Sequence, residues 1–314
     1  MNRRTPRVKR LRVAIVGAGK VGTVLGRVLR EEGARITAVV SRSRASARTT
    51  GRFLRCANVS TALTAIPRET DCVFITTPHD AVEEVARTLA GLEGLDFPAM
   101  AVCHASGMLT AAALEPCAVR GAAVFSFHPL QTFPRDFAPR DILPRARGIC
   151  YGVDGSARGV RMARRLARVL CGRIIVIPPA RRVLYHAACV VASNHLTTML
   201  AEVEAMLHAV LPRERRFMEV FRPILDATLA NVAATSPAAA LSGPVARGGI
   251  GTVARHLEAV RDAVPELLPY FTRMSLETVR LAAAKGSLTA ESRTAMIQLI
   301  RSFTDETTHT RENE

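Results

Sequence analysis

The sequence predicts an α/β fold whose first half is a doubly wound parallel sheet, followed by an all-α second domain. Three observations support this. The 314 residues exceed what one compact core usually holds, so two domains are expected. Short β-branched runs alternate with helical patterns as far as residue 179, as a parallel sheet flanked by helices requires. Beyond residue 179 the apolar residues recur only at helical spacing.

The individual elements follow from these patterns. Seven apolar runs predict strands, at residues 11–16, 35–40, 71–77, 99–104, 122–127, 147–153 and 173–179. Helices are predicted at residues 20–32, 80–92 and 156–170. The expected domains are a basic tail at 1–10, a sheet domain at 11–179, a helical domain at 180–303 and a disordered polar tail at 304–314.

The net charge and the cysteine content limit the classes of function that the sequence supports. The formal charge of +16 comes almost entirely from arginine, and no stretch interleaves the arginines with aromatic residues, so we expect no nucleic-acid partner. An organism-wide preference for arginine is the simpler explanation, with nucleic acid or an acidic membrane surface as the alternatives. The seven cysteines form no CxxC pair, which predicts a reducing compartment without disulfides or a metal site. Without a long apolar run, we expect a cytoplasmic protein that does not bind membranes.

The segment GAGKVG, residues 17–22, lies between the first predicted strand and helix. In this GxGxxG spacing Gly17 permits a tight turn, Gly19 lets a pyrophosphate approach the backbone, and Gly22 lets the helix pack closely on the strand. Lys20 and Val21 open the helix whose free N–H groups would bind the phosphates. The pattern predicts a dinucleotide-binding Rossmann domain. A glycine-rich turn without a ligand is the alternative.

Cofactor choice is expected to depend on the end of the second strand. An NAD enzyme usually has an acidic residue there, whereas this chain has Ser41 and Arg42, followed by Arg44. Hydroxyl and guanidinium groups bind a 2′-phosphate by charge-assisted hydrogen bonds, which favours NADP over NAD. The alternative is that Arg42 and Arg44 are merely two more surface arginines.

Three later strands end in polar segments, each with a histidine. The segments TTPHD (76–80), HASG (104–107) and FHPLQTF (127–133) should lie at the carboxyl edge of the sheet, where such sheets bind ligands. They could also be ordinary strand-to-loop turns. We expect cofactor contacts from four of their residues, and a substrate contact from a fifth, His128. The four cofactor residues are Thr77, Pro78, His104 and Ser106.

The three histidine-containing segments occur in one chain with GAGKVGTVLG, YHAACVVASN and GPVARGG. In their order along the chain, the six motifs resemble those of the Rossmann-like proteins that carry a DUF2520 C-terminal domain. That family is similar to the 6-phosphogluconate dehydrogenase-like group, which includes ketopantoate and pyrroline-5-carboxylate reductases. The resemblance implies NADP binding, a helical domain often used for dimerisation, and an active site between the domains. The chain departs from the family pattern at Arg182, where a lysine is usual, and at Gly249, where an acidic residue is usual.

Helical spacing places Arg182, His186, Cys189 and Ser193 on one stripe, with Asn194 on its flank. Hydride transfer to a carbonyl leaves charge on oxygen, which calls for a cation and a proton source. Arginine stays protonated, so Arg182 is predicted to clamp a carboxylate or oxyanion and His186 to act as general acid. Asn194 is predicted to donate a hydrogen bond to the substrate.

The sequence leaves alternatives open for the general acid and for the substrate contacts. His104 and His128 are rival acids, and the polar residues of the helix stripe could simply bond to neighbouring backbone. In the second domain Asn231 and Arg247 are predicted substrate contacts, although a turn with a solvated arginine explains Arg247 equally well.

Together these features predict an NADP-dependent oxidoreductase that acts on a small oxo acid or an imine. A ketopantoate-like substrate follows from the resemblance alone. We expect a homodimer. A catalytically silent NADP-binding regulatory protein is the alternative, because the family's lysine and acid are replaced.

Overall fold

The computed structural model describes residues 11–311, so the predicted basic tail at 1–10 and residues 312–314 lie outside the described residues. Contacts between residues divide the chain into two compact units, Met1–Asn194 and His195–Glu314. Within the described range, no helix combines the length and apolarity needed to cross a bilayer.

The first unit contains a six-stranded parallel sheet with the strand order β3-β2-β1-β4-β5-β6. Its strands are β1 Arg12–Val16, β2 Arg35–Val40, β3 Val59–Ser60, β4 Cys72–Ile75, β5 Ala101–His104 and β6 Ala123–Ser126. Strands β2 and β3 are added on one side of β1, whereas β4, β5 and β6 are added on the other. This reversal of strand order makes a crevice at the carboxyl ends of β1 and β4. The predicted doubly wound Rossmann sheet is confirmed.

Helices cover both faces of this sheet. The helices of the first unit are α1 Lys20–Glu31, α2 Arg44–Leu54, α3 Val82–Ala90, α4 Glu115–Val119, α5 Pro139–Ile142, α6 Ala157–Val169 and α7 Arg182–Val190. Alternate residues of β1 enter opposite cores: Val13 and Ile15 pack with α1 and α6, whereas Ala14 and Val16 pack with α3. A strand buried on both faces reads as a continuous apolar run, which explains why these strands were visible in the sequence.

A second, three-stranded sheet follows. It consists of β7 His128–Pro129, β8 Cys150–Val153 and β9 Arg173–Val176. β7 pairs antiparallel with β8, and β8 pairs parallel with β9. The sequence predicts the last two as further strands without revealing that they leave the main sheet.

The second unit is helical, with helices α8 Leu196–Val210, α9 Phe217–Ala234, α10 Pro237–Ala240, α11 Ile250–Ala263, α12 Leu268–Lys285 and α13 Ala290–Arg311. Its core lies between α11, α12 and α13, around Leu257, Val279, Met296 and Ile300. A π-helical turn, Val191–His195, joins α7 to α8.

The elements differ from the sequence prediction in several places, and the short elements α4, α5 and β7 were not predicted at all. Strand signals end near residue 179 as expected, but the contacts keep α7 with the first unit, so the division falls after Asn194. Helix α13 continues to Arg311, within the segment predicted to be disordered. Finally, α2 and β3 were missed because β3 spans two residues and α2 has only four buried residues.

Candidate functional site

The turn after β1 has the geometry that its glycines predict. Gly17 has a φ of +110°, and a Cβ there would lie 2.7–2.8 Å from backbone atoms of Thr76 and Thr77. Its N–H donates to the Val40 carbonyl at 2.8 Å, and its own carbonyl accepts from Thr76 Oγ1 at 2.8 Å. Gly22 packs so closely on Thr76 Oγ1 and the Gly17 carbonyl that a side chain could not fit. These contacts bind β1, β2 and β4 together at the crevice.

Gly19 differs from the other two glycines because it faces open space. A Cβ added there would have no protein atom within 4 Å. Gly19 is also the N-cap of α1, where no side chain caps the helix and no acidic residue lies in the first turn. The free N–H groups and the positive end of the helix dipole therefore face the opening above Gly19.

A cleft of about 990 Å³ extends from this turn. Thr77 and Pro78 line it, as predicted from the TTPHD segment. The Oγ1 of Thr77 is buried and has no protein hydrogen-bond partner. An unpartnered buried hydroxyl costs about 1–3 kcal/mol unless a ligand satisfies it. The open glycine, the uncapped helix and this hydroxyl lie in one cleft, and this combination fits a dinucleotide with a pyrophosphate.

The far wall of the cleft carries Ser41 and Arg42, at the end of β2. Arg44 is exposed in the first turn of α2, and this described residue is not among those that line the cleft. Lys20 Nζ donates to the Phe137 carbonyl at 2.6 Å, so the structure gives this side chain a protein partner. Val21 packs partly buried against the core beneath the helix, where only its backbone is near the turn.

Arg182 differs from the predicted clamp, because the side chain is fully buried. Its Nε donates to the Gly107 carbonyl at 2.8 Å and Nη2 donates to the Ser106 carbonyl at 2.9 Å. Nη1 lies 3.3 Å from an Asp154 carboxylate oxygen, as an ion pair without a hydrogen bond. Burial lowers the pKa of Arg182 and the carboxylate opposes that change. A buried guanidinium needs such partners, and they leave it no opening to a substrate.

Asp154 is the centre of this buried network, and sequence reasoning missed it. Its carboxylate accepts from the Ala111 N–H at 2.7 Å and from the Ser126 hydroxyl. The residue lies at the end of β8 and is 3% exposed. An aspartate after a strand is common in turns, so only its position beneath Arg182 shows its role.

His104, predicted to bind cofactor or to be a rival acid, is fully buried. Nε2 lies 3.0 Å from the Thr110 carbonyl, and Nδ1 accepts from the Ser106 N–H at 3.2 Å. Burial lowers the pKa of His104 to about 4. The hydroxyl of Ser106 accepts from the N–H groups of Met108 and Leu109. Both residues thus shape the loop after β5, and their predicted cofactor contacts stay predictions.

His128 and His186 come together on the other side of that loop. Their ring centroids are 5.9 Å apart, and Gly107 separates them: a Cβ at residue 107 would lie 2.5 Å from His186 Cδ2 and 2.8 Å from His128 Nε2. His128 Nδ1 is 2.9 Å from the Tyr185 hydroxyl. Burial lowers the pKa of His128 to about 4, with Arg182, His186 and His104 acting in the same direction.

A pocket of about 330 Å³ adjoins both rings. His128 and His186 line it together with residues of the loop after β7 and of the π-helical turn, among them Gln131, Ser193 and Asn194. Asn194 is exposed and accepts from Ser193 Oγ at 2.9 Å. π-helical turns are rare and often lie at functional sites.

Asn231, in α9, and Arg247, before α11, lie in the second unit, and both are exposed. Gly249 is the N-cap of α11. The substrate roles of Asn231 and Arg247 stay predictions.

Family models match two segments of the chain. Residues 2–129 match the model described as a Rossmann-like domain, and residues 149–278 match the domain of unknown function DUF2520. None of the curated proteins matches this sequence.

Several crystal structures share the fold. A candidate NADP oxidoreductase from Bacteroides fragilis, BF3122, is 21% identical with a TM-score of 0.67, covering 86% of this chain and 98% of its own. Protein TM1727 from Thermotoga maritima is 19% identical with a TM-score of 0.67, covering 87% and 99%. A reductive aminase from Aspergillus terreus, in complex with NADPH and ethyl-5-oxohexanoate, is 16% identical with a TM-score of 0.56, covering 95% of each chain. At these identities the likeness concerns the fold.

Proposed function

We propose that this chain, which belongs to the proteins that combine a Rossmann-like domain with a DUF2520 domain, is an NADP-dependent oxidoreductase. It would transfer a hydride between nicotinamide and a small oxo acid or imine. The observation that carries the proposal is the cleft in which Gly19 is open, α1 is uncapped and Thr77 Oγ1 lacks a protein partner. The fold itself makes no use of this open space or of these hydrogen-bond donors, so they are available to a ligand.

Each part of the cleft has a role in this proposal. The N–H groups at the start of α1, above Gly19, would hold the pyrophosphate. Ser41 and Arg42 would bind the 2′-phosphate, which favours NADP over NAD. The Thr77 hydroxyl would bond to the cofactor near the carboxyl end of β4. A bound reduced nicotinamide supplies the hydride.

The acid in this proposal is His186. Among the three histidines near the loop after β5, His104 has backbone partners at both ring nitrogens, and His128 is bonded to Tyr185. His186 is only partly buried and lines the pocket. Proton donation by a positioned side chain typically contributes roughly 10²–10⁴ in rate. Asn194, which also lines the pocket, would donate a hydrogen bond to the substrate.

Two relatives support the cofactor and the reaction class. The description of the Bacteroides fragilis protein is that of an NADP oxidoreductase, and the Aspergillus terreus enzyme is a reductive aminase in complex with NADPH. The ketopantoate-like substrate, the cytoplasmic location and the homodimer remain parts of the proposal.

The exposed apolar residues of α9 support the homodimer. This 18-residue helix has a single buried residue, Phe217, while Met218, Val220, Ile224 and Leu229 are exposed. Helices of globular proteins gain most of their stability by burying apolar residues, and a second copy of the chain would cover part of these. The mass of the purified protein, measured by light scattering, should be that of two chains.

A silent cofactor-binding protein is the second candidate. The buried Arg182 favours it, because the residue at the position of the family's lysine cannot reach a substrate in this arrangement. Such a protein would bind NADPH in the same cleft and oxidise none of it.

One assay separates these functions. Binding of NADPH and NADH is measured by calorimetry, and oxidation of NADPH is followed by absorbance with a panel of 2-oxo acids, ketones and cyclic imines. We expect tighter binding of NADPH and turnover with part of the panel. Tight binding without turnover across the panel supports the silent protein, and no binding of either nucleotide overturns both proposals.

Arg42→Ala tests the cofactor preference. Loss of a charge-assisted bond should weaken NADPH binding at least ~10-fold and leave NADH binding nearly unchanged. Arg44→Ala is the matched control, since this exposed arginine lies two residues away and outside the cleft lining. Equal effects of the two variants would show that the preference comes from general positive charge.

A further inference from the structure

His128, Gly152 and Tyr185 form one packing unit across the second sheet and α7. His128 and Gly152 are cross-strand partners of β7 and β8. A Cβ at residue 152 would clash with the Tyr185 hydroxyl and lie 2.6 Å from its Cζ, so the glycine makes the room that the tyrosine ring fills. The rings of His128 and Tyr185 meet edge to face at 5.7 Å. The Tyr185 hydroxyl therefore reaches Nδ1 of His128 at a fixed position.

The direction of this hydrogen bond follows from the strength of the two groups. A phenol is a more acidic donor than the N–H of a neutral imidazole, and the unprotonated imidazole nitrogen is a strong acceptor. The Cys189 thiol, one turn along α7, also lies beside the hydroxyl, but a thiol is a weak acceptor. Tyr185 therefore donates to Nδ1, which leaves the proton of a neutral His128 on Nε2.

Another glycine packs closely against the Nε2 edge of the His128 ring. The position that a Cβ of Gly107 would take lies 2.8 Å from His128 Nε2 and 2.5 Å from His186 Cδ2. Arg182 fixes this residue by donating to its carbonyl. Gly107 thus packs directly against both rings, and the two rings line one pocket on the side away from this glycine's missing side chain.

We propose that Tyr185 is a positioning residue that holds His128 in the neutral, Nε2-protonated tautomer, and that this N–H donates a hydrogen bond to a carbonyl oxygen of the substrate. The proposal rests on the proposed oxidoreductase function. In this proposal the two histidines have different roles. His128 polarises the carbonyl oxygen of the substrate without giving up its own proton, and His186 supplies the proton that the oxygen takes up.

The surroundings of His128 keep it neutral. It is largely buried, and the charged or titratable groups that face it are Arg182, His186, His104 and Tyr185. The guanidinium of Arg182 lies 5.3 Å from the centre of the Tyr185 ring. Burial and a nearby cation both oppose a second proton on His128, and a neutral imidazole can still polarise a carbonyl.

This geometry selects between the two substrate classes left open above. A carbonyl oxygen has lone pairs that accept from an N–H donor. The nitrogen of a protonated imine has none, so a fixed donor beside it would be left unpaired. We therefore assign the pocket to aldehydes and ketones, including oxo acids, rather than to iminium ions.

Nuclear magnetic resonance of the full-length protein, labelled with ¹⁵N-histidine, tests the tautomer without a substrate. The His128 signals are identified by their loss in His128→Gln. We expect one protonated nitrogen, Nε2, and one unprotonated nitrogen, Nδ1, with no change between about pH 6 and 8. A proton on Nδ1, or a cationic ring in this range, would overturn the proposal.

Tyr185→Phe tests the positioning role, and Tyr151→Phe is its matched control. Tyr151 is a buried tyrosine of β8 whose hydroxyl has no protein hydrogen-bond partner. Tyr185→Phe should give a mixture of His128 tautomers while the other histidine signals stay in place, and Tyr151→Phe should leave all of them unchanged. An unchanged His128 tautomer in Tyr185→Phe contradicts the assignment.

Kinetics test the catalytic part. In Tyr185→Phe we expect kcat with a ketone or oxo acid to fall about 10-fold while NADPH affinity stays the same. His128→Gln, which can place an N–H near Nε2, should retain more activity than His128→Leu. A preference for cyclic imines over ketones in the parent protein overturns the substrate assignment. Failure to bind NADPH would instead refute the proposed function and leave the tautomer result intact.

Discussion

The turn after β1 and the network under α7 both gather polar groups in the first unit, but they treat those groups in opposite ways. Around Gly19 the helix N-terminus is uncapped and Thr77 Oγ1 has no protein partner. Around Arg182, by contrast, an aspartate and two backbone carbonyls surround the buried guanidinium. In the cleft, the unpartnered groups face open space and point to a ligand. At Arg182, the ion pair with Asp154 and the hydrogen bonds of Nε and Nη2 hold the loop after β5 in shape, although Nη1 has no hydrogen bond of its own.

This difference also explains the arginine that replaces the family's usual lysine. A guanidinium has five donors in a fixed fork, so Arg182 can bind Asp154, Ser106 and Gly107 at once. It is withdrawn from the pocket and supports the loop on which His128 and His186 pack. The four predictions below test the contrast between open and satisfied groups.

The largest effect is expected from Asp154→Ala. Removing the carboxylate leaves the buried Arg182 without its counter-charge, which should lower the free energy of unfolding by about 3–5 kcal/mol. Urea denaturation followed by circular dichroism measures this. The control is Glu31→Ala, whose pairs with Arg27 and Arg147 are partly exposed and should contribute less than about 1 kcal/mol. Similar losses in both variants would mean that Asp154 is not central.

Acid should destabilise the first unit through its buried histidines. The pKa values of His104 and His128 are lowered to about 4, against about 6.5 in an unfolded chain. The unfolded chain thus takes up protons first, so the stabilisation is complete above about pH 6.5 and is lost as the pH falls towards 4. At pH ~5 each of these two histidines should have lowered the free energy of unfolding by roughly 2 kcal/mol relative to neutral pH.

Thermal unfolding between pH 7 and 5 measures this effect. His128→Gln should make the acid slope shallower, whereas His79→Gln, at an exposed side chain, should not change it. An unchanged slope in His128→Gln would show that His128 takes up its proton at the same pH in the folded and the unfolded protein.

A pair of glycine variants separates folding from ligand binding. Gly17→Ala should lose about 1–3 kcal/mol of stability, because its φ is +110° and the Cβ would contact the Thr76 backbone. Gly19→Ala should change stability by less than about 0.5 kcal/mol and yet weaken NADPH binding ~10-fold or more, since its methyl group would occupy the open space. Melting temperature and calorimetry measure the two properties. Unchanged NADPH binding in Gly19→Ala would contradict the site.

Thr77→Val should also have only a small effect on stability. Replacing an unpartnered buried hydroxyl by a methyl should leave stability unchanged or raise it by less than ~1 kcal/mol, while NADPH binding weakens several-fold. Thr76→Val is the matched control, because Thr76 Oγ1 donates to the Gly17 carbonyl and its loss should cost about 1 kcal/mol. A clear loss of stability in Thr77→Val would show that its hydroxyl is satisfied within the fold.

Much of the fold could be predicted from local patterns. The strands of the main sheet are continuous apolar runs because both of their faces are buried, and GAGKVG has a turn geometry that only glycine allows at Gly17. The helical stripe from Arg182 to Asn194 predicted a polar pocket wall, and His186 and Asn194 do line a pocket. The stripe could not reveal that Arg182 faces inward, because helical spacing gives the angle of a side chain and not what lies opposite it.

The sequence by itself determined the doubly wound sheet, the glycine-rich turn and the helical second half, since each depends on residues close together in the chain. Only the tertiary structure decided which polar groups are satisfied. Asp154 meets Arg182, and Gly107 and Gly152 make room for His128 and Tyr185, across separations that no local pattern encodes. The chemistry of a buried polar group depends on its partners, and those partners come from distant segments.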